Sequence, residues 1–113
     1  MSESLHWRGG ALVGAFNATW PFATLKATRE TITLSVVLSG IYVFDHRNIQ
    51  GLARHNGILS TGLQILHTEQ KYPSFVVFWT LNFRKLKSEL EALGFRVEDS
   101  LLKNKAGHTS CLF

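Results

Sequence analysis

The chain has 113 residues, of which 45% are hydrophobic, and its formal net charge at pH 7 is +4. This length fits one domain that buries enough surface to fold without cross-links, and the single cysteine, Cys111, excludes an internal disulfide. No run of about 18 apolar residues and no signal-peptide pattern is present, so we expect a cytoplasmic protein.

Alternating apolar and polar residues predict a series of short strands. Residues 1–10 are polar and end in two glycines, which indicates a loose lead-in. The clearest pattern is a hairpin, in which the polar turn Thr28-Arg29-Glu30 separates two alternating segments. Its apolar positions, Leu25, Ile32 and Leu34 among them, are expected to face the core. Seven strands are predicted in all, at residues 12–18, 22–27, 31–36, 41–44, 49–55, 63–69 and 75–79.

After the seventh strand the apolar spacing changes to that of an amphipathic helix, predicted for residues 83–93. An asparagine precedes the helix as its N-cap, with leucines at the two positions of a hydrophobic staple. A glycine and a phenylalanine follow it in the order of a Schellman motif. Residues 98–113 are mostly polar and are predicted to be a frayed tail. The residues that mark the helix ends are Leu81, Asn82 and Leu86 at the start and Leu90, Gly94 and Phe95 at the end.

The predicted order of elements limits the architecture. The links between strands are too short for helical crossovers, so the sheet must be antiparallel. Seven strands leave long open edges unless the sheet curls into a barrel or folds into a sandwich. The apolar stripe of the helix would then cover one end. We therefore expect an all-β domain with one C-terminal helix over residues 11–97.

Several short stretches resemble a known superfold. They are Trp20-Pro21-Phe22-Ala23, the strand through Tyr42 and Phe44, Phe78-Trp79, and residues 90–95. Together with the order of elements, these stretches resemble the pleckstrin-homology-like (PH-like) barrels, in particular small uncharacterised bacterial proteins of that fold. The resemblance implies a seven-stranded antiparallel barrel capped by the C-terminal helix. Because these are core and turn residues, it implies a fold rather than a function.

No catalytic constellation is visible in the sequence. The carboxylates are not paired on one strand face, and no serine lies in a nucleophile elbow. His46, His55 and His67 are too far apart along the chain for a local metal site, and a phosphate-binding glycine loop is absent. We expect a protein without catalytic activity, cofactor or metal. A small enzyme that uses His55 or His67 at the barrel end is a further hypothesis, ranked below the two binding hypotheses that follow.

A binding module is the first hypothesis. Barrels of the resembled superfold accept extended peptides between an edge strand and the C-terminal helix, where the peptide adds a strand. The turn Asn56-Gly57 is followed by two apolar residues with little to bury them, Ile58 and Leu59. These two are the candidate partner contacts. Self-association into a homo-oligomer is an equal alternative.

Weak peripheral binding to an anionic membrane or ligand is the second hypothesis, because the chain is basic. Phosphoinositide-binding PH domains carry basic residues in the first hairpin loop, but the expected loop here, residues 17–20, has none. Nucleic-acid binding is not expected, since basic residues and exposed aromatic residues are rarely adjacent. The candidate contacts for an anionic surface are Lys26, Arg29, Arg47 and Arg54.

Overall fold

The computed structural model describes residues 4–57 and 61–99. Within these ranges most residues belong to eight strands, and one α-helix lies between the last two. A 3₁₀ turn, His46–Asn48, joins the fourth strand to the fifth. The strands are β1 (Leu5–Val13), β2 (Phe16–Ala27), β3 (Thr31–Val36), β4 (Gly40–Asp45), β5 (Ile49–Asn56), β6 (Thr61–His67), β7 (Val76–Thr80) and β8 (Val97–Glu98), and the helix is α1 (Phe83–Ala92).

The eight strands form one curled sheet, a half-barrel, in the order β4-β3-β2-β1-β7-β6-β5-β8. Neighbouring strands are antiparallel except β5 and β8, which are parallel. The inner face of the sheet and the apolar side of α1 share one core, in which Leu25, Leu34, Phe44, Phe78 and Leu90 are fully buried. The prediction of a mainly antiparallel β domain with one helix near its C-terminal end is confirmed.

The hairpin predicted from alternation is formed by β2 and β3. Leu25 lies opposite Leu34 and Ala27 opposite Ile32, and all four side chains are buried. The polar residues between them lie on the outer face, away from the core. Period-two alternation was sufficient to predict this hairpin and its core-facing residues, because one face of each strand is buried and the other is in contact with water.

The prediction for the N-terminus was wrong. Residues 5–10 are not a lead-in but the first part of β1, which pairs with β2 from Leu5 opposite Ala27 to Gly9 opposite Ala23. Residues 5–10 therefore belong to the sheet, and residues 17–20 lie inside β2 instead of forming the first hairpin loop. Gly9 interrupts the apolar pattern because a side chain there would collide with Phe78 and the β7 backbone.

The ends of α1 follow the sequence signals with one exception. The Asn82 side chain accepts a hydrogen bond of 3.2 Å from the third helical N–H. At the other end Phe95 N–H donates to Leu90 O at 3.1 Å, and Gly94 adopts a φ of +100°, which completes the Schellman motif. Leu81 is 87% exposed, so the staple is not formed. Within the described residues no helix has the length and apolar character needed to cross a membrane.

A short strand after the helix was not predicted. Residues 97–98 form β8, which pairs with Leu52 and Ala53 of β5. Val97 is buried, and the Asp99 carboxylate lies 3.5 Å from the Arg54 guanidinium. The expected tail therefore does not begin at residue 98; residues 100–113, with Cys111, lie outside the described residues.

We expect Leu34→Asp to unfold the domain. Leu34 is fully buried, and an unpaired buried charge costs several kcal/mol, a large part of a total stability of about 5–15 kcal/mol. Thr33→Asp is the matched control, because Thr33 lies next to it on the outer face, in register with Lys26. Urea unfolding followed by tryptophan fluorescence should show a cooperative transition for the control and none for Leu34→Asp. A cooperatively folded Leu34→Asp variant would contradict the assigned register.

Candidate functional site

The chain itself covers both edges of the sheet. At the β4 edge, Val43 N–H points away from β3 and donates to the Tyr72 hydroxyl at 3.1 Å. The Tyr72 ring, from the segment between β6 and β7, packs edge-on against Tyr42 and Phe44. At the other end of the sheet, β8 covers part of the β5 edge. A peptide that adds as a strand alongside Val43 or alongside Leu52 and Ala53 would have to displace one of these segments.

His67 holds the segment that carries Tyr72. Its Nδ1 accepts a hydrogen bond of 3.0 Å from Glu69 N–H, and its Nε2 lies 2.9 Å from Pro73 O. Both contacts are satisfied by one neutral tautomer, with the proton on Nε2. The ring also packs against Phe44 at 4.7 Å. Both ring nitrogens therefore serve the backbone of the β6–β7 segment.

The other two candidate histidines also have structural contacts. His46 lies with Nδ1 2.8 Å from Arg29 O, and its ring stacks on Phe95 at 4.2 Å. His55 packs against Phe75 and Trp79. The three histidines do not converge, and the described part of the chain contains no group of three histidine, cysteine or acidic residues that could hold a metal ion.

The outer face of β2, β3 and β4 carries a cluster of exposed apolar side chains. The described residues include nine large hydrophobic side chains that are exposed, and six of them lie in this region. Scattered apolar residues are normal on a protein surface, whereas a contiguous group indicates an interaction site. We call this group the outer-face patch, and it consists of Trp20, Phe22, Val37, Leu38, Ile41 and Val43.

A large bulge in β2 forms one side of the outer-face patch. Gly9 pairs with Ala23 and Ala11 with Ala18, so four residues, 19–22, stand opposite the single residue Gly10. The backbone of the bulge lies over Gly10, where an added Cβ would come within 2.5 Å of Ala18 O. The bulge therefore requires glycine at this position, and it projects Trp20 and Phe22 into solvent.

The β3–β4 turn forms the other side of the outer-face patch. Val37 N–H donates to Phe22 O at 3.0 Å and thereby joins the turn to the bulge. Ser39 Oγ bonds the Tyr42 hydroxyl at 2.6 Å, which fixes the turn to β4. Leu38, at the tip, is 94% exposed and has a φ of +71°. A left-handed conformation is uncommon for a residue as large as leucine, so turn stability does not explain its presence here.

Two basic residues lie beside the outer-face patch, and the nearest acidic residue on β4 is Asp45, two residues after Val43. Arg8 lines the concavity beside the patch, and Lys26 is in register with Thr33 and Val43 one row further along the strands. Neither Arg8 nor Lys26 forms an ion pair with a described residue. None of the residues that line this concavity is acidic.

The structure does not bring the four candidate basic residues into one group. Arg29 and Arg47 line a concavity at the far end of β3 and β4, together with the carboxylates of Glu30 and Asp45. Lys26 lies on the outer face nearer the patch. Arg54 is on β5, bonded to Asp99 and positioned 5.4 Å from the centre of the Phe83 ring. Ile58 and Leu59, the candidate partner contacts, lie outside the described residues.

Sequence reasoning did not identify the outer-face patch. The stretch with Trp20 and Phe22 was interpreted as barrel scaffold, and Val37 and Leu38 were not singled out. The available signal was an apolar pair immediately before Ser39-Gly40, where a turn normally carries polar residues. Alternation alone does not show that a bulge turns two aromatic residues outward.

Comparison with protein-family models gives no match for this chain. Comparison with curated proteins likewise finds no match.

We expect Tyr72→Phe to open the β4 edge. Without the hydroxyl, Val43 N–H loses its acceptor, which should cost about 0.5–1.5 kcal/mol and increase hydrogen exchange at this amide. Tyr42→Phe is the control, because that hydroxyl bonds Ser39 and not the edge. Exchange measured by NMR should be faster at Val43 in the first variant only. Equal protection of Val43 in Tyr72→Phe and wild type would show that Tyr72 does not cover the edge.

Proposed function

We propose that this protein is a non-enzymatic binding module that attaches to anionic phospholipid membranes through the outer-face patch. The observation that carries the proposal is the position of the patch, where an exposed leucine turn and a bulge with Trp20 and Phe22 lie side by side. Arg8 and Lys26, which form no ion pair with a described residue, lie next to it on the same face. Apolar side chains with nearby basic residues are the features by which peripheral proteins bind anionic bilayers.

Docking by a face of the sheet is favoured over strand addition. Both sheet edges are partly covered within the chain, by Tyr72 at Val43 and by β8 at Leu52 and Ala53. The outer-face patch has none among the described residues, and its side chains point away from the core. A bilayer can bind such a surface without shape complementarity, because tryptophan and phenylalanine side chains are stable at the boundary between acyl chains and headgroups.

Charge favours an anionic membrane over a second copy of the chain. A two-fold interface built on the outer-face patch must be complementary to itself, and no carboxylate lines the concavity to attract Arg8 of a second copy. An anionic surface gains from the same charges, by about 1 kcal/mol for each basic residue near it.

The absence of catalysis is part of the proposal. His67 and His46 are engaged with backbone carbonyls and aromatic rings, and His55 packs on Trp79. A histidine held in this way supports the fold, and a general base must instead reach a bound substrate. The proposal would be abandoned if the protein turned over a metabolite in a way that His67→Gln abolished.

We also propose that the chain is a PH-like barrel. The order of seven strands followed by an amphipathic helix supports this assignment. So does the curled, mainly antiparallel sheet, in which β1 pairs with β7 while β4 and β5 are not paired with each other. An experimental structure with a different strand order would overturn it.

We expect Leu38→Gln to weaken membrane binding by at least about tenfold, because burial of a leucine side chain contributes about 1.5–3 kcal/mol and 1.4 kcal/mol corresponds to a factor of about ten. The measurement is flotation with phosphatidylcholine vesicles, with and without phosphatidylglycerol, at low and high salt. Wild type should float with the anionic vesicles and lose binding at high salt.

Leu81→Gln is the matched control, because Leu81 is similarly exposed but precedes α1, away from the patch; its binding should equal that of wild type. Leu38→Gly is a second variant that suits the positive φ and keeps the turn folded while removing the side chain. Failure of wild type to float, or equal loss in Leu38→Gln and Leu81→Gln, would contradict the proposal. If wild type does not float but its mass in light scattering rises with concentration, and Leu38→Gln abolishes that rise, self-association through the outer-face patch would replace the proposed membrane binding.

A further inference from the structure

A row of three polar side chains crosses the outer face next to the patch. Arg8 of β1 pairs with Thr24 of β2, and Thr24 pairs with Ser35 of β3. Directly opposed residues on one face of antiparallel strands have Cβ atoms about 4.5–5.5 Å apart. A guanidinium group and two hydroxyl groups are therefore presented side by side on three neighbouring strands. We call Arg8, Thr24 and Ser35 the polar row.

The polar row lines an open concavity of about 560 Å³. This volume is within the range of small-molecule sites, about 300–1,000 Å³. The walls of the concavity are apolar and belong largely to the bulge and the β3–β4 turn, with Phe22, Leu38 and Ile41 among them. The polar row is thus adjacent to the outer-face patch, and one ligand could contact both.

The side chains of the polar row form no hydrogen bond or ion pair with other described residues. Arg8 has no ion pair with a described residue, and neither the Thr24 nor the Ser35 hydroxyl forms a hydrogen bond within the described part of the chain. By contrast, Arg54 is paired with Asp99, and Arg47 is close to Asp45. A cation and two hydroxyl donors that lie together without an acceptor match an oxyanion, and arginine binds phosphate with two parallel hydrogen bonds.

We infer that Arg8, Thr24 and Ser35 form a binding site for a terminal phosphate group. The inference rests on the proposed function, since it names the headgroup chemistry that the membrane-facing surface prefers. The ligand class is a phosphomonoester whose apolar remainder contacts the outer-face patch. A lipid with a phosphomonoester headgroup and a free phosphorylated small molecule share this chemistry.

Vesicles test the lipid source. Wild type should bind phosphatidylcholine vesicles that contain phosphatidic acid about tenfold more tightly than vesicles of equal surface charge that contain phosphatidylglycerol, because only the former presents a terminal phosphate. Arg8→Gln should remove this preference, and the pair Thr24→Val with Ser35→Ala should reduce it. Lys26→Gln is the control one row away; it should weaken binding to both kinds of vesicle equally and leave the preference unchanged.

Titration of wild type with glycerol phosphate, followed by NMR, tests the free source. Amide shifts confined to residues around the polar row, and absent in Arg8→Gln, would support a site for a soluble phosphate. If these shifts are seen but wild type binds no vesicle, the membrane function is overturned and the phosphate site stands. Flotation that depends on Leu38 but shows no preference for phosphatidic acid, together with no NMR shifts, would overturn the site and leave the membrane function standing. A preference that Lys26→Gln abolishes as fully as Arg8→Gln would also overturn it.

Discussion

A half-barrel of eight strands has two edges, and the way this chain covers them determines which surfaces remain available. Backbone groups at an open edge form hydrogen bonds with any extended chain that approaches. Here Tyr72 provides an acceptor for Val43 N–H, while β8 pairs with β5. Tyr72 lies in a segment that is held by His67. The β4 edge is therefore covered at Val43 by a side chain and not by another strand. Each edge is thereby partly covered, which favours interaction through a face of the sheet.

The outer face of β2 to β4 has the opposite character. Its apolar side chains are kept in solvent by two local devices, the bulge over Gly10 and the turn with Leu38 in a left-handed conformation. A hydrogen bond from Val37 N–H to Phe22 O joins these devices. Exposure of so many apolar side chains favours association in water. An anionic bilayer would cover this apolar surface and at the same time attract Arg8 and Lys26, which form no ion pair with a described residue.

The parts of the fold that were predictable are those specified by neighbours in the sequence. The hairpin of Leu25 and Leu34 follows from alternation over six residues on each side of a polar turn. The helix and its caps follow from Asn82, the leucine spacing and Gly94. Contacts between distant residues were not predictable. Glycines hid the first strand because packing against β7 removed the side chains that would have shown its period, and β8 is too short to carry a pattern.

The sequence by itself determined the β2–β3 hairpin, the position of the helix and the basic character of the molecule, because periodicity, capping and charge are properties of short segments or of composition. Only the tertiary structure decided which apolar residues remain exposed. Ile41 and Val43 alternate with Tyr42 and Phe44 in a strand that is apolar on both faces, so the sequence does not show which face is covered. The curl of the sheet buries Phe44 and leaves Ile41 outside. In the same way, register alone places Arg8 beside Thr24 and Ser35, since residues far apart in the chain become neighbours only when the strands pair.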